Sequence, residues 1–154
     1  MTSTTDLPRF VVDASVAIKW QLSDEQDSDV AERLLRDFLA DRVLLIAPDH
    51  IRYEVANALR TAVRTRRLTA DEARAALEQF LIWHIPTVAD DDLILAGFDQ
   101  STRFGCSLYD ALYLALAEQS NCPLIFADPR LRNTLAGRFP LAHWLSDYQS
   151  AADG

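Results

Sequence analysis

The chain has 154 residues, 49% of them hydrophobic and 25% charged, which fits one soluble globular domain. Its 15 basic residues against 23 acidic ones leave a net charge of −8, which excludes broad electrostatic adhesion to nucleic acid or anionic membranes but not a site whose acids hold cations. With no apolar run near the ~18 residues of a membrane span, no leader pattern in MTSTTDLPRF, and only Cys106 and Cys122 as cysteines, a cytoplasmic protein with reduced thiols and no zinc site is expected.

RFVVDA, Arg9 to Ala14, is a β-branched run closed by an acid, and it reads as a buried parallel strand. After a brief helical or loop segment and the acidic SDEQDSD, the stretch VAERLLRDFLA repeats Val30, Leu34, Leu35 and Phe38 at helical spacing. VLLIAP, Val43 to Pro48, is the second strand. Between Asp49 and Arg67, the residues Ile51, Val55, Ala58, Leu59 and Ala62 share one side, predicting an amphipathic helix with a basic far end.

TADE, Thr69 to Glu72, matches a capping box and opens a helix ending near Trp83. HIPTVA is a short third strand, and Asp90 to Asp92 suit the start of a helix that ends near Gly105. SLYDALYLALAEQS is the next helix, PLIFA (Pro123 to Ala127) a strand, DPRLRNTLAG a helix and PLAHWL a last strand. This alternation predicts an α/β fold, a parallel sheet with helices on both faces, without repeats or linkers.

In an open parallel sheet the ligand crevice lies at the carboxyl ends of the strands. Asp13 closes the first strand and Asp128 follows LIFA, so both emerge at that rim and become neighbours if their strands pair. Glu54 lies early in the helix after the second strand, and Asp110 lies in the first turn of the helix before PLIFA. Four carboxylates converging at one rim repel one another unless cations hold them. Magnesium or manganese prefers such oxygen ligands and promotes phosphodiester hydrolysis.

Each acid also has a plainer reading. Ser107-x-x-Asp110 resembles a capping box, Asp13 and Asp128 suit strand-end turns, and Glu54 suits a surface pair with Arg60 or Arg52. His50, His84, His143 and Cys106 lack partners in sequence for nucleophilic catalysis and read as packing or surface residues. Fourteen of the 15 basic residues are arginine, a choice that suits phosphate contacts or merely reflects composition bias. Arg60, Arg64 and Arg67 recur every three or four residues, either as a stripe guiding RNA phosphates or as a solvated face.

Four stretches in order, FVVDASVAIKW, YEVANAL, SLYDALYLALAE and LIFADPRL, resemble the PIN-domain ribonucleases, and specifically the VapC-type toxins of bacterial toxin-antitoxin pairs. The resemblance covers about residues 9–145 and implies one PIN-like domain over residues 1–154, a three-layer α/β/α sandwich. It also implies a magnesium- or manganese-dependent endoribonuclease, a homodimer, and a cognate antitoxin that covers the acidic groove. The family's catalytic and metal-binding acids fall on Asp13, Glu54, Asp110 and Asp128. Ser15, Asn57 and Ser107 fall on supporting positions. Two departures stand beside the last acid: Phe126 replaces a frequent Thr, and Pro129 follows Asp128 directly, which makes Asp128 the least secure of the four ligands and leaves open whether it binds metal directly or through water.

Two other classes compete with the toxin. One is an inactive PIN-like binding or regulatory module. The other is a phosphotransfer domain with Asp13 as nucleophile, against which Ser15 stands where the second acid of a D-x-D pair would be.

Overall fold

The computed structural model describes residues 6–153, so the first half of the amino-terminal stretch lies outside it. Five strands form one parallel sheet: β1 (Arg9–Val12), β2 (Leu44–Pro48), β3 (Thr87–Val88), β4 (Leu124–Phe126) and β5 (Ala142–Trp144), in the order β3-β2-β1-β4-β5. Among the described residues seven α-helices connect them: α1 (Ala14–Ala17), α2 (Ser28–Leu39), α3 (Ile51–Arg64), α4 (Ala70–Ile82), α5 (Asp91–Phe104), α6 (Leu108–Ser120) and α7 (Pro129–Leu135). The chain moves outward from β1 to β3, then returns to β4 on the other side of β1. Crossovers of the usual right hand, made in these opposite directions, place helices on both faces of the sheet, in keeping with the three-layer α/β/α sandwich.

The core follows from the strand sequences. Val11, Val12, Leu124 and Ile125 are fully buried at the centre of the sheet, as expected of short apolar runs covered on both faces. α6 packs on β1, β2 and β4, and its residues Tyr113, Leu114 and Ala117 are buried with them. α5 packs along α6 through Gly97, where a Cβ would stand 2.6 Å from Leu112 Cδ2, so glycine sets how closely the two helices approach. Gln100 of α5 also donates to the Glu118 carboxylate of α6.

The helix ends bear out their sequence signals. Thr69 Oγ1 accepts from Glu72 N at 3.1 Å while Thr69 N donates to Glu72 Oε2 at 2.7 Å, a complete capping box. Asp90 caps α5 by accepting from Leu93 N at 2.8 Å, and Gly105 ends that helix with φ +70°. The helix predicted over 49–67 is shorter, because the chain leaves it after Arg64 and Arg66 turns to φ +63°. Arg67 therefore lies beyond the helical face, pairing with Asp24 at 2.8 Å and Glu25 at 3.3 Å.

A buried acid that the sequence did not single out holds down the end of the chain. Asp37 of α2 is 1% exposed and accepts from Arg42 Nε at 2.8 Å, Ser150 Oγ at 2.8 Å, Ala151 N at 3.0 Å and the Tyr148 hydroxyl. Burial alone would raise its pKa, but these donors together hold it below the ordinary carboxylate value. No helix of the described residues is long and apolar enough to cross a membrane.

Candidate active site

The direction of the chain reverses at the β1/β4 pair, where an open α/β sheet forms its crevice. Asp13 leaves β1 there and Asp128 leaves β4. Each caps the following helix: Asp13 accepts from Ser15 N at 3.0 Å, and Asp128 Oδ1 accepts from Arg130 N at 2.9 Å. Glu54 and Asp110 lie in the first turns of α3 and α6. All four acids therefore stand at helix amino-termini, whose partial positive charge favours carboxylates. For Asp13 and Asp128, capping a helix and lining the candidate site are therefore not alternatives.

Asp110 separates the two most clearly. The helix cap is Ser107, whose Oγ accepts from Asp110 N at 3.1 Å, and among the described residues no bond returns from the Asp110 carboxylate to the backbone of Ser107. The Asp110 carboxylate is therefore free of capping duty. Burial and the charges of Asp128 and Glu54 raise its pKa, against smaller opposing effects of Ser107 and Arg130.

Asp13 is the most constrained acid, at 5% exposure. Its neighbour Ser15 donates to the carboxylate through Oγ, and that Oγ accepts the Ala127 N–H at 2.9 Å. Burial, reinforced by Glu54 and Asp110, pushes the Asp13 carboxyl up to about 7 despite both hydrogen bonds from Ser15. A buried carboxylate with two like charges beside it is in deficit of positive charge.

Glu54 does not pair with Arg60 or Arg52; Arg52 lies 3.5 Å from Asp49 instead. Glu54 Oε1 accepts from the Tyr113 hydroxyl at 3.1 Å and stands 2.6 Å from His50 Nε2. That second contact lacks the direction of a hydrogen bond, so both buried nitrogens of His50 remain without hydrogen-bond partners. The His50 ring packs on Tyr113 at 4.8 Å and on Tyr109 at 5.6 Å between centroids. His50 and Tyr113 thus belong to the site, although the sequence reading gave them no role there. Helical spacing carried the signal, since His50 lies four residues before Glu54 and Tyr113 three residues after Asp110.

Asn57 is exposed and makes no hydrogen bond to the acids among the described residues. It lines instead an open recess of about 400 Å³ with Arg60, Thr61 and Arg64. Arg60 and Arg64 have no ion-pair partner among the described residues, unlike Arg67.

The donor set is all oxygen, which fits a hard divalent cation rather than zinc. Among the described residues no three His, Cys, Asp or Glu side chains are gathered closely enough to form a complete cage. Glu54 is tied to Tyr113, Asp128 to its own helix, and mutual repulsion opposes closer approach. A cation beside Asp13 would offset the burial and the neighbouring charges that raise its pKa.

The PIN domain family model matches residues 10–135. The VapC ribonuclease Mb0985 of Mycobacterium bovis is 35% identical over 137 residues, which cover 86% of this chain and 95% of that protein. Two crystal structures share the fold. PAE2754 from Pyrobaculum aerophilum superposes with a TM-score of 0.64 at 21% identity, covering 91% of this chain and 92% of that one. Mycobacterium tuberculosis VapC20, described as a sarcin-ricin loop cleaving toxin, gives 0.60 at 18% identity, covering 84% and 95%.

Proposed function

Because this chain belongs to the PIN-domain family, within its VapC group, we propose that it is a magnesium- or manganese-dependent endoribonuclease toxin of the cytoplasm, one domain over residues 1–154. The observation that carries this reading is the buried Asp13 carboxylate, set beside Asp110 and Glu54 at the β1/β4 reversal and left short of positive charge.

Asp13 and Asp110 would hold the cation directly, with Glu54 beside them and Asp128 acting through water. A divalent cation bound there supplies Lewis-acid stabilisation of charge developing on the phosphate. The chain's own residues do the rest. Ser15 orients Asp13 and joins it to the β4 end through Ala127. Tyr113 holds Glu54 on the cleft side of α3. Ser15 Oγ is engaged on both sides, as donor and acceptor, so it is no nucleophile. Water is the attacking species, forming the new P–O bond as a ribose oxygen leaves.

Arg60 and Arg64 would contact substrate phosphates from the recess they share with Asn57. Ile94, Leu95 and Phe98, more than half exposed on α5, support self-association as a homodimer. The acid cluster favours a basic segment of a cognate antitoxin as its inhibitor.

The test is cleavage of RNA with magnesium by the wild-type protein, Asp13→Asn and Asp110→Asn. Loss of cleavage in both variants, with their folds intact, supports the reading. Equal cleavage by all three removes the proposed site, and no cleavage by any of them leaves a binding module.

A further inference from the structure

Two exposed tyrosines flank the candidate site acids along the chain and make no hydrogen bond to them among the described residues. Tyr109 directly precedes Asp110, and Tyr53 directly precedes Glu54. One helical step of about 100° separates each ring from its acid, so the ring stands to the side of the acid rather than behind it. Tyr109 is 62% exposed and Tyr53 69%. A single exposed ring is ordinary. These two differ in being chain neighbours of two site acids, and Tyr109 is also backed by the site's own packing. Its ring rests on His50, which rests on Tyr113, whose hydroxyl holds Glu54. Tyr109 is thus held through packed rings while remaining largely open to water.

Tyr53 starts a row. Tyr53, Asn57, Arg60 and Arg64 recur at spacings of four, three and four residues, so they line one outward face of α3. That face offers an aromatic ring beside Glu54, then two arginines without ion pairs among the described residues, over a rise of roughly 16 Å. A ring followed by guanidinium groups is complementary to a single nucleic-acid strand, whose unstacked bases meet aromatic faces while its phosphates meet arginine. A duplex keeps its bases paired and stacked, so it cannot engage the rings.

We propose that Tyr109 and Tyr53 are specificity-determining residues that stack an unpaired RNA base at the lip of the acid cluster, with the adjoining phosphates on Arg60 and Arg64. This rests on the reading that the site cleaves RNA, and it adds which side chains select unpaired substrate.

The experiment separates binding from cleavage. Asp13→Asn protein is mixed with a short single-stranded RNA carrying the fluorescent base 2-aminopurine, and both affinity and fluorescence are followed. Tyr109→Leu or Tyr53→Leu, added to that protein, should weaken binding on the order of tenfold and relieve the quenching of the stacked base. Tyr109→Phe should retain both, since stacking needs the ring and not the hydroxyl. The same sequence as a duplex should show no quenching.

Leucine variants that bind and quench like their parent overturn the proposal, as does a duplex quenched equally. So does a shift in elution volume caused by leucine without a change in quenching, which would assign the rings to an interface between copies. Cleavage by the wild-type protein is measured separately. Stacking without wild-type cleavage defeats the nuclease reading alone; cleavage with an unchanged KM in the leucine variants defeats the platform alone.

Discussion

The hydroxyl of Ser15 joins the Asp13 carboxylate, to which it donates, to the backbone N–H of Ala127, from which it accepts at 2.9 Å. One side chain thus ties the end of β1 to the end of β4 and fixes how Asp13 leaves the sheet. Its bond to Asp13 is charge-assisted and sheltered from water, where such bonds are strongest.

Ser15→Ala should therefore destabilise the protein by about 1–2 kcal/mol and raise the Asp13 pKa further, because the serine side-chain bond opposes that rise. If cleavage needs the ionised carboxylate, the acid limb of the pH-rate profile should move to higher pH. An unmoved limb in a folded variant would remove Ser15 from the positioning of Asp13.

Asp13 also makes stability depend on pH and on cations. With its carboxyl at about 7 in the folded protein and an ordinary value of 3.8, the folded state keeps a proton that the unfolded chain releases between those values. Stability of chelator-treated protein should fall as pH rises from about 4 to about 7 and then level off. Magnesium reverses this by stabilising the ionised form, so its gain in Tm should be larger at about pH 8 than at about pH 5. Asp13→Asn should flatten both trends. A magnesium gain that ignores pH would argue against Asp13 as a ligand.

The arginines of the basic helix divide into two kinds. Arg60→Gln and Arg64→Gln should each lower the salt slope of RNA binding by about 0.7, as expected for one single-strand phosphate contact. Arg67→Gln should leave that slope alone, because its guanidinium is engaged by Asp24 and Glu25. Titrations at several salt concentrations decide, and equal slopes for all three variants would dissolve the distinction.

Asp37 anchors the carboxyl-terminal segment without touching the site. Asp37→Ala should cost about 3 kcal/mol, by removing several hydrogen bonds to a buried charge. It should also open residues 145–153 to protease. Since its folded pKa is depressed, this contribution is present above the unfolded value near 4 and is lost as pH falls through the lower folded value. Denaturant unfolding and limited proteolysis of wild type and variant, at neutral and acid pH, provide the check.

The order of elements was legible because it rests on local chemistry. β-branched runs, the Thr69 and Glu72 box, the Asp90 cap and Gly105 each act within a few residues, so the neighbouring sequence suffices to read them. The four acids were legible as candidates for the same reason, being residues just after strands or at helix starts. The exit of the chain from α3 was not. Arg66 takes a positive φ and Arg67 reaches back to Asp24 and Glu25, more than forty residues earlier in the chain.

By itself, then, the sequence determined the alternating α/β order, the helix caps and the acids presented at one rim, because periodicity and capping are set by residues a turn or two apart. Only the tertiary structure decided which groups share an environment. Pairing of β1 with β4 put Asp13 beside the β4 end, and packing of α3 near α6 gave Glu54 the Tyr113 hydroxyl. Folding α2 against the chain's end turned Asp37 into a buried anchor. Burial and charge coupling depend on distance through space, so the rise of the Asp13 pKa and the fall of the Asp37 pKa had no signature in spacing along the chain.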